Sequence, residues 1–324
     1  MIGEIILEKV CILMAIYKPN MQWLIEQLES LNAQTYKNIE LIVYNDCPDD
    51  EVNYETIYEK HITNFEFSIV QGEANLGSTL AFGKLTEMAN GEYIAYCDQD
   101  DVWLPNKLEI LVNEIKRSNA DLICSDMYVI DANSNIVADS ITKVRPRYIF
   151  YNGNNVFENA IIHNWVTGCT VLIKTEMAKK ALPFPKKFVH DVWLAAYTGA
   201  YGKIVNLNKS LIKYRIHGNN QTLVLAGINN KDDYYIDRIK GFNDKIDVIQ
   251  ARFNDRSIVE TVCRLKKFAN ARNNYYTNVN LTNFCRLFRL RRENRSIVYF
   301  ELFLPFIPSV LFKFLIKQIR RGKI

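Results

Sequence analysis

Short apolar runs alternate with helical patterns between residues 10 and 125, and this alternation restricts the fold more than any other feature. The first run, Val10–Ile16, is apolar throughout, as a strand buried on both faces requires. Further strands are predicted at Ile39–Tyr44, Phe67–Val70, Tyr93–Cys97 and Leu122–Ser125. Helices are predicted over Met21–Ala33, Ser78–Ala89 and Pro105–Ser118. Such βαβ units predict an α/β class, a Rossmann-like, mostly parallel sheet flanked by helices.

Beyond Ile130 the pattern is looser. Strands are predicted at Val166–Ile173 and Leu211–Ile216, with a helix over Asp191–Tyr201 between them. From about Asp232 the chain is helical and amphipathic, without strand patterns. A chain of 324 residues exceeds one minimal domain. We therefore predict an α/β domain over residues 1–225 and a helical, basic C-terminal extension over residues 226–324.

An acidic cluster, Asp98-Gln99-Asp100-Asp101, follows directly after the apolar run Tyr93–Cys97. In open α/β sheets, ligands bind at the carboxyl ends of the strands. Carboxylates this close repel one another unless a cation or a network of donors compensates their charge. Mg²⁺ and Mn²⁺ prefer carboxylate oxygen and often bind through one or two carboxylates plus substrate phosphates. The cluster therefore indicates a metal–diphosphate site, although a solvated turn before a helix would also explain it.

Four other polar segments fall at strand ends or helix starts, namely Asn45-Asp46, Gly72–Gly77, His190–Trp193 and Tyr214–Asn220. Asp46 either accepts a hydrogen bond from a nucleotide base or a ribose hydroxyl, or it closes a turn. The glycines allow close approach of an anion to a helix start, and an ordinary turn explains them equally. Asp191 is either a general base or a helix cap. Arg215 and His217 are candidates for a diphosphate or a metal, and a lone histidine is more often structural.

Together these segments resemble family 2 glycosyltransferases, most closely the rhamnosyltransferase-like members of bacterial surface-polysaccharide pathways. The resemblance covers about residues 8 to 222 and rests on Val10–Tyr17, Tyr44–Asp46, Ala74–Gly77, Gly91–Trp103, Thr167–Cys169, His190–Trp193 and Tyr214–Asn219. Gly91–Trp103, followed by His-Asp-x-Trp and His-Gly-Asn-Asn, is a specific combination. The rest of the chain lies outside the resemblance.

The resemblance implies a GT-A fold and an inverting, metal-dependent transfer. In such enzymes Asp98 and Asp100 would bind the ribose and the metal-bound diphosphate, and Asp191 would be the general base. The implied nucleotide-sugar site comprises Ala15, Tyr17, Asp46, Asn75, Gly77, Asp98, Asp100 and Arg215. The implied metal ligands are Asp100 and His217, and the metal is Mg²⁺ or Mn²⁺. After the second strand, members often carry Asp-Asp-Gly-Ser where this chain has Asn45–Pro48.

The predicted reaction transfers a sugar from a dTDP- or UDP-sugar to a hydroxyl of a glycan or lipid-linked acceptor in surface-polysaccharide synthesis. Rhamnose as the sugar rests on the resemblance alone. One alternative is a catalytically silent nucleotide-sugar-binding scaffold of the same fold, against which the intact acidic residues argue. Another is a nucleotidyltransferase, which would carry a glycine-rich signature near the first strand that Ala15–Asn20 lacks.

The positive charge of the chain is concentrated at one end. Its 40 basic and 36 acidic residues give a net charge of +4, but ten basic and two acidic residues lie from Leu281 onward. The apolar stretch Ile297–Ile316 is interrupted by charges and prolines, which disfavours a spanning helix. Two interpretations stay open: peripheral contact with an anionic membrane through residues 286–324, and a helical subdomain or homodimer contact with an apolar core.

Composition restricts partners and location further. The tail arginines lack an interleaved aromatic platform, so nucleic acid is not an expected partner. Seven cysteines, none in a CxxC pair, predict buried free thiols in a reducing compartment rather than zinc or disulfides. With no signal-peptide pattern at the start, the expected location is cytoplasmic, peripheral at the inner face of the cell membrane.

Overall fold

A computed structural model describes residues 7–145, 148–217, 225 and 227–320. The chain divides into two compact units, Met1–Gly218 and Asn219–Ile324. The boundary predicted at residue 225 lies near this division. Gly218–Asn220 of the His-Gly-Asn-Asn motif, and Arg321 and Lys323 of the basic tail, lie outside the described residues.

In the described part of the first unit, ten strands form one sheet. They are β1 (Val10–Ile16), β2 (Ile39–Asn45), β3 (Glu66–Gln71), β4 (Tyr93–Cys97), β5 (Val102–Trp103), β6 (Leu122–Ile130), β7 (Ile136–Ala138), β8 (Gly153–Asn154), β9 (Val171–Lys174) and β10 (Lys203–Arg215). The order across the sheet is β3-β2-β1-β4-β9-β6-β10-β5, with β7 beside β6 and β8 beside β10.

One half of the sheet is parallel. Strands β3, β2, β1 and β4 run in the same direction, and Val10 of β1 pairs with Ile39 on one side and Tyr93 on the other. Their carboxyl ends therefore lie at one edge. The other half is mixed, because β9 enters antiparallel between β4 and β6, which is itself parallel to β10. The predicted α/β fold is confirmed, with the antiparallel β9 as an addition to it.

Helices flank the sheet, and local sequence sets several of their ends. They are α1 (Met21–Asn32), α2 (Tyr54–His61), α3 (Ser78–Met88), α4 (Lys107–Ser118), α5 (Ile141–Val144), α6 (Phe157–His163), α7 (Thr175–Lys180) and α8 (His190–Tyr201). The side chain of Asn20 caps α1 by accepting from two backbone N–H groups. Leu24, Leu28 and Leu31 lie on one face of α1 and pack in the core with β1 and β2.

The second unit is helical where it is described. Its helices are α9 (Lys231–Tyr234), α10 (Gly241–Arg252), α11 (Arg256–Thr277), α12 (Leu281–Arg289), α13 (Arg295–Phe303) and α14 (Ser309–Arg320), with a π-helical turn at Tyr235–Lys240 and a 3₁₀ turn at Leu304–Phe306. The stretch Ile297–Ile316 is therefore broken. Three of its buried side chains, Leu304, Phe312 and Ile316, share a core with Ile228, Tyr234 and Ile239. Among the described residues, no helix combines the length and apolar character needed to cross a bilayer.

Candidate active site

The acidic segment Asp98–Asp101 is held between two strands of the sheet. It starts directly after β4 and ends at β5, whose Trp103 pairs with Ile212 of β10. The amide of Gln99 fixes the segment to the end of β1: the Tyr17 N–H donates to Gln99 Oε1 at 2.8 Å, and Gln99 Nε2 donates to the Tyr17 carbonyl at 3.2 Å. The sequence did not single out Gln99. Its only local signal was its place between two aspartates.

The side chains around this segment shift its acidity. Loss of solvent raises the pKa of Asp98 to about 7, and the charges of Asp100 and Asp191 add to that rise. Burial likewise raises the pKa of Asp101 well above its ordinary value. Asp101 Oδ1 accepts from the Arg215 backbone N–H at 2.9 Å, whereas its Oδ2 has no hydrogen-bond partner among the described residues. The carboxylates thus crowd one poorly solvated place.

A buried lysine lies beneath the acidic segment. The Lys107 ammonium donates to the Cys169 carbonyl at 2.5 Å and lies 3.2 Å from the centroid of a Trp103 ring. Burial lowers the pKa of Lys107 to about 7, while nearby thiols and carboxylates act in the opposite direction. Lys107, which the sequence did not suggest, is therefore a partial counter-charge inside the cluster.

Asp100 is held by two residues at the end of β10. The buried Arg215 donates from Nε to the Asp100 carbonyl at 2.7 Å and from Nη2 to Glu26 Oε2 at 2.6 Å. His217 Nε2 lies 2.8 Å from Asp100 Oδ2, and its ring centroid lies 4.8 Å from that of Trp23. The Arg215 guanidinium, which was expected to bind the nucleotide sugar, therefore contacts the Asp100 carbonyl and the Glu26 carboxylate. The Asp100–His217 pair expected at a metal is brought together.

Asp46, at the end of β2, holds the loop between β3 and α3. Its Oδ1 accepts from the Leu76 N–H at 2.7 Å and its Oδ2 from the Gly77 N–H at 2.8 Å. Gly77 has φ +78, a backbone conformation that favours glycine. Asn75 is exposed on the same loop, and Ala15 lies in β1 beside Tyr44 of β2. The predicted base-binding residues thus share one edge of the sheet, and Tyr17 is 46% exposed there.

Asp191 lies in the first turn of α8, buried at the site. Its Oδ2 accepts from the Gly168 N–H at 3.0 Å, and its Oδ1 accepts from the Val192 N–H at 2.6 Å. A Cβ at position 168 would lie 2.5 Å from His190 Nε2. Gly168 therefore fixes the carboxylate of Asp191, and the sequence identified it only as part of a motif.

His190, directly before Asp191, is buried and packs against two aromatic rings. Its ring centroid lies 4.1 Å from that of Phe82 and 5.1 Å from that of Tyr96. Neither ring nitrogen has a hydrogen-bond partner among the described residues. Burial lowers the pKa of His190 to about 3, so the imidazole is neutral at physiological pH.

The family follows from comparison with known proteins. The sequence model of glycosyl transferase family 2 matches residues 11–180, which include the acidic segment and Gly168. The chain belongs to glycosyl transferase family 2. It is 29% identical over 223 residues to a glycosyltransferase of Methanocaldococcus jannaschii, covering 67% of this chain and 73% of that protein.

Two further relatives of this glycosyltransferase carry informative names. The Escherichia coli protein WfgD, a UDP-Glc:alpha-D-GlcNAc-diphosphoundecaprenol beta-1,3-glucosyltransferase, is 26% identical over 191 residues, 58% of this chain and 70% of WfgD. The crystal structure of S. aureus TarS 1-349 in complex with UDP-GlcNAc superimposes with a TM-score of 0.59 at 15% identity, covering 97% of this chain and 92% of that one. The latter likeness shows the fold alone.

Among the described residues of this family 2 enzyme, two groups of side chains at the acidic segment have donor atoms for a cation. Ligand atoms of Asp98, Asp101 and Cys169 lie within 4.8 Å of one another, but burial raises the pKa of the Cys169 thiol well above its ordinary value. A protonated thiol is a poor ligand, and thiolates select softer metals. Asp100 Oδ2 and His217 Nε2, which lie 2.8 Å apart, are the other donors. Carboxylate oxygen together with a diphosphate suits Mg²⁺ or Mn²⁺.

Proposed function

We propose that this glycosyltransferase moves a sugar from a UDP- or dTDP-sugar to a hydroxyl of a glycan or lipid-linked acceptor, with inversion at the anomeric carbon. The observation that carries the proposal is the convergence of Asp98, Asp100 and Asp191, whose charges act on one another. Metal–diphosphate binding and a general base are the two functions that such a transfer needs. In this proposal residues 1–225 form the donor-binding and catalytic domain.

The proposed donor site follows the edge of the parallel strands. Ala15, Tyr17 and Asp46 face the nucleotide base, with Asn75 and Gly77 on the adjoining loop. Asp98 binds the ribose, and Asp100 with His217 would hold Mg²⁺ or Mn²⁺. Arg215 acts through Asp100, because its Nε donates to the Asp100 carbonyl. When bound, the cation would neutralise charge on the departing diphosphate.

The proposed reaction needs one general base, which removes the proton from the attacking hydroxyl of the acceptor substrate. Asp191 takes the proton of the acceptor hydroxyl, whose oxygen forms a bond to the anomeric carbon from the face opposite the diphosphate. The bond from that carbon to the diphosphate breaks, and the nucleoside diphosphate leaves with the electron pair. The Gly168 N–H orients Asp191 for this role. General-base help of this kind contributes about 10²–10⁴-fold.

The names of the relatives support a polysaccharide pathway and a uridine nucleotide. WfgD is named for UDP-glucose and a diphosphoundecaprenol acceptor, and the TarS structure is described as a complex with UDP-GlcNAc. Rhamnose has no counterpart in these names, so dTDP-rhamnose enters the test as one donor among several. The scaffold alternative is not favoured, because Asp98, Asp100 and Asp191 are all present and lie together.

The test is nucleoside diphosphate release from a panel of UDP-, dTDP- and GDP-sugars, with and without Mn²⁺ or Mg²⁺. We expect metal-dependent release from one donor, a loss of about 10²–10⁴-fold in Asp191→Asn with unchanged UDP affinity, and weakened metal-dependent donor binding in Asp100→Ala. The control is Asp139→Asn, a surface carboxylate paired with Lys143. Turnover of Asp191→Asn at the wild-type rate would refute the base assignment, and metal-independent turnover would refute the cation.

A further inference from the structure

Helix α12 of the second unit carries apolar side chains on its exposed surface. Asn283 and Leu287 are buried on one face. Leu281, Phe284 and Phe288 lie on another and are 78%, 38% and 36% exposed. Their spacing of three and four residues places them in one stripe along the helix. A helix at the surface of a globular protein normally turns polar side chains outward, so this stripe indicates a partner.

The stripe continues onto α13. The ring centroids of Phe284 and Phe288 are 6.1 Å apart, and those of Phe288 and Tyr299 are 6.4 Å apart. Phe303, one helical turn beyond Tyr299, is 65% exposed. Leu281, Phe284, Phe288, Tyr299 and Phe303 therefore form one exposed apolar face.

Positive charge lies beside this exposed apolar face. Arg291, Arg292 and Arg295 line a cleft of about 340 Å³ in the connection between α12 and α13, and Arg295 lies one helical turn before Tyr299 on α13. The Arg291 guanidinium lies 4.4 Å from the centroid of the Phe288 ring. The two acidic residues of Leu281–Arg320 are bound to arginines of α11, Glu293 to Arg264 and Glu301 to Arg272. The charge presented beside the apolar face is therefore basic.

We infer that the exposed apolar face and its arginines dock the protein on an anionic lipid bilayer. Apolar side chains with adjacent arginines match the boundary between acyl chains and anionic headgroups. A second copy of the chain fits less well, because a two-fold interface uses the same surface of both copies and would bring the arginines of both into one interface. The inference goes beyond the proposed function, since it concerns helices of the second unit and not the catalytic residues.

The experiment is vesicle flotation of the full chain, comparing phosphatidylcholine alone with phosphatidylcholine containing about 30 mol% phosphatidylglycerol. We expect binding to the anionic vesicles at least about tenfold tighter than to the neutral ones. Arg292→Gln/Arg295→Gln should lower binding about tenfold or more, because each basic residue at the surface attracts anionic headgroups. Leu281→Ser/Phe288→Ser should lower it comparably. Added salt should weaken binding.

Matched controls change the same chemistry elsewhere. Arg256→Gln/Lys267→Gln removes two exposed charges of α11, and Ile136→Ser/Val137→Ser removes two apolar side chains of β7 that are 59% and 63% exposed. Both should bind like the wild type. Circular dichroism confirms that each variant is folded, and UDP release reports separately on the proposed function.

Two results would overturn the inference. One is equal affinity of the wild-type chain for neutral and anionic vesicles, or no binding to either. The other is vesicle binding that both Arg292→Gln/Arg295→Gln and Leu281→Ser/Phe288→Ser retain. If Leu281→Ser/Phe288→Ser instead dissociates an oligomer in sedimentation velocity while vesicle binding persists, the face belongs to a second copy. Lost UDP release with intact vesicle binding would refute the proposed function and leave this inference standing.

Discussion

At the scale of single residues, Gly168 positions Asp191, the proposed general base. A Cβ there would lie 2.5 Å from His190 Nε2 and 3.7 Å from the Cβ of Asp191, and the Gly168 N–H donates to Asp191. We expect Gly168→Ala to displace the carboxylate and lower kcat about 10²-fold, as a misplacement of about 1 Å can do. UDP affinity should stay unchanged. Steady-state kinetics and calorimetry measure the two quantities.

A second buried glycine provides the matched control. In Gly83→Ala on α3, the new Cβ would meet the Phe184 ring at 3.6 Å, an ordinary van der Waals contact, and alanine favours a helix by about 1 kcal/mol. This variant should keep its activity and gain slightly in stability. A Gly168→Ala enzyme with wild-type kcat would show that Gly168 does not position Asp191.

The sequence predicted which residues meet at the site better than what each contacts. Asp46, Asp98 and Asp100 were recognised because each follows an apolar strand, and parallel strands end at one edge. The burial of Arg215 depends on how Glu26 and Asp100 approach it, and no local pattern encodes that packing. Lys107 was hidden for the same reason, since a lysine in an amphipathic helix is normally exposed.

At the scale of elements, the loop between β3 and α3 depends on one carboxylate. Asp46→Ala removes the acceptor of the Leu76 and Gly77 N–H groups. Losing such hydrogen bonds costs about 1–3 kcal/mol of loop stability. Because Asn75 and Gly77 of this loop belong to the proposed donor site, we expect UDP affinity to fall about tenfold or more. Hydrogen exchange at residues 72–77 should accelerate. Asp49→Ala, an exposed carboxylate in the neighbouring turn, is the control. Unchanged exchange in Asp46→Ala would contradict this role of the side chain.

Strand prediction succeeded where burial is continuous and failed where pairing is irregular. The bounds of β1 and β4 match the apolar runs, because every position there except Ala15 is buried. For β10 only Leu211–Ile216 was predicted, whereas the strand begins at Lys203. Its first half carries polar residues, and its register with β6 shifts between Leu207 and Ser210. The antiparallel entry of β9 depends on distant partners, which periodicity does not reveal.

At the scale of the whole molecule, the two units have cores of different kinds. The first is organised around an apolar sheet. The second contains a buried ion pair, in which Arg272 donates to Glu301 from Nε and Nη2, and Tyr234 also donates to Glu301. Composition alone marked this end as basic and amphipathic, without showing that one of its two glutamates lies inside. The core of the second unit therefore includes the charge of Glu301, which the sequence pattern did not identify as buried.

We expect Glu301→Gln to destabilise the second unit alone, because it leaves the buried Arg272 without a counter-charge. Breaking one side of a buried ion pair costs about 3–5 kcal/mol. All four tryptophans lie in the first unit, so tryptophan fluorescence reports on that unit and far-UV circular dichroism on both. The dichroism transition should move to lower denaturant while the fluorescence transition stays. Glu260→Gln, which removes an exposed partner of Arg256, should move neither. A fluorescence transition that moves together with the dichroism would mean that the two units unfold as one, and an unmoved dichroism transition would mean that Arg272 finds another partner.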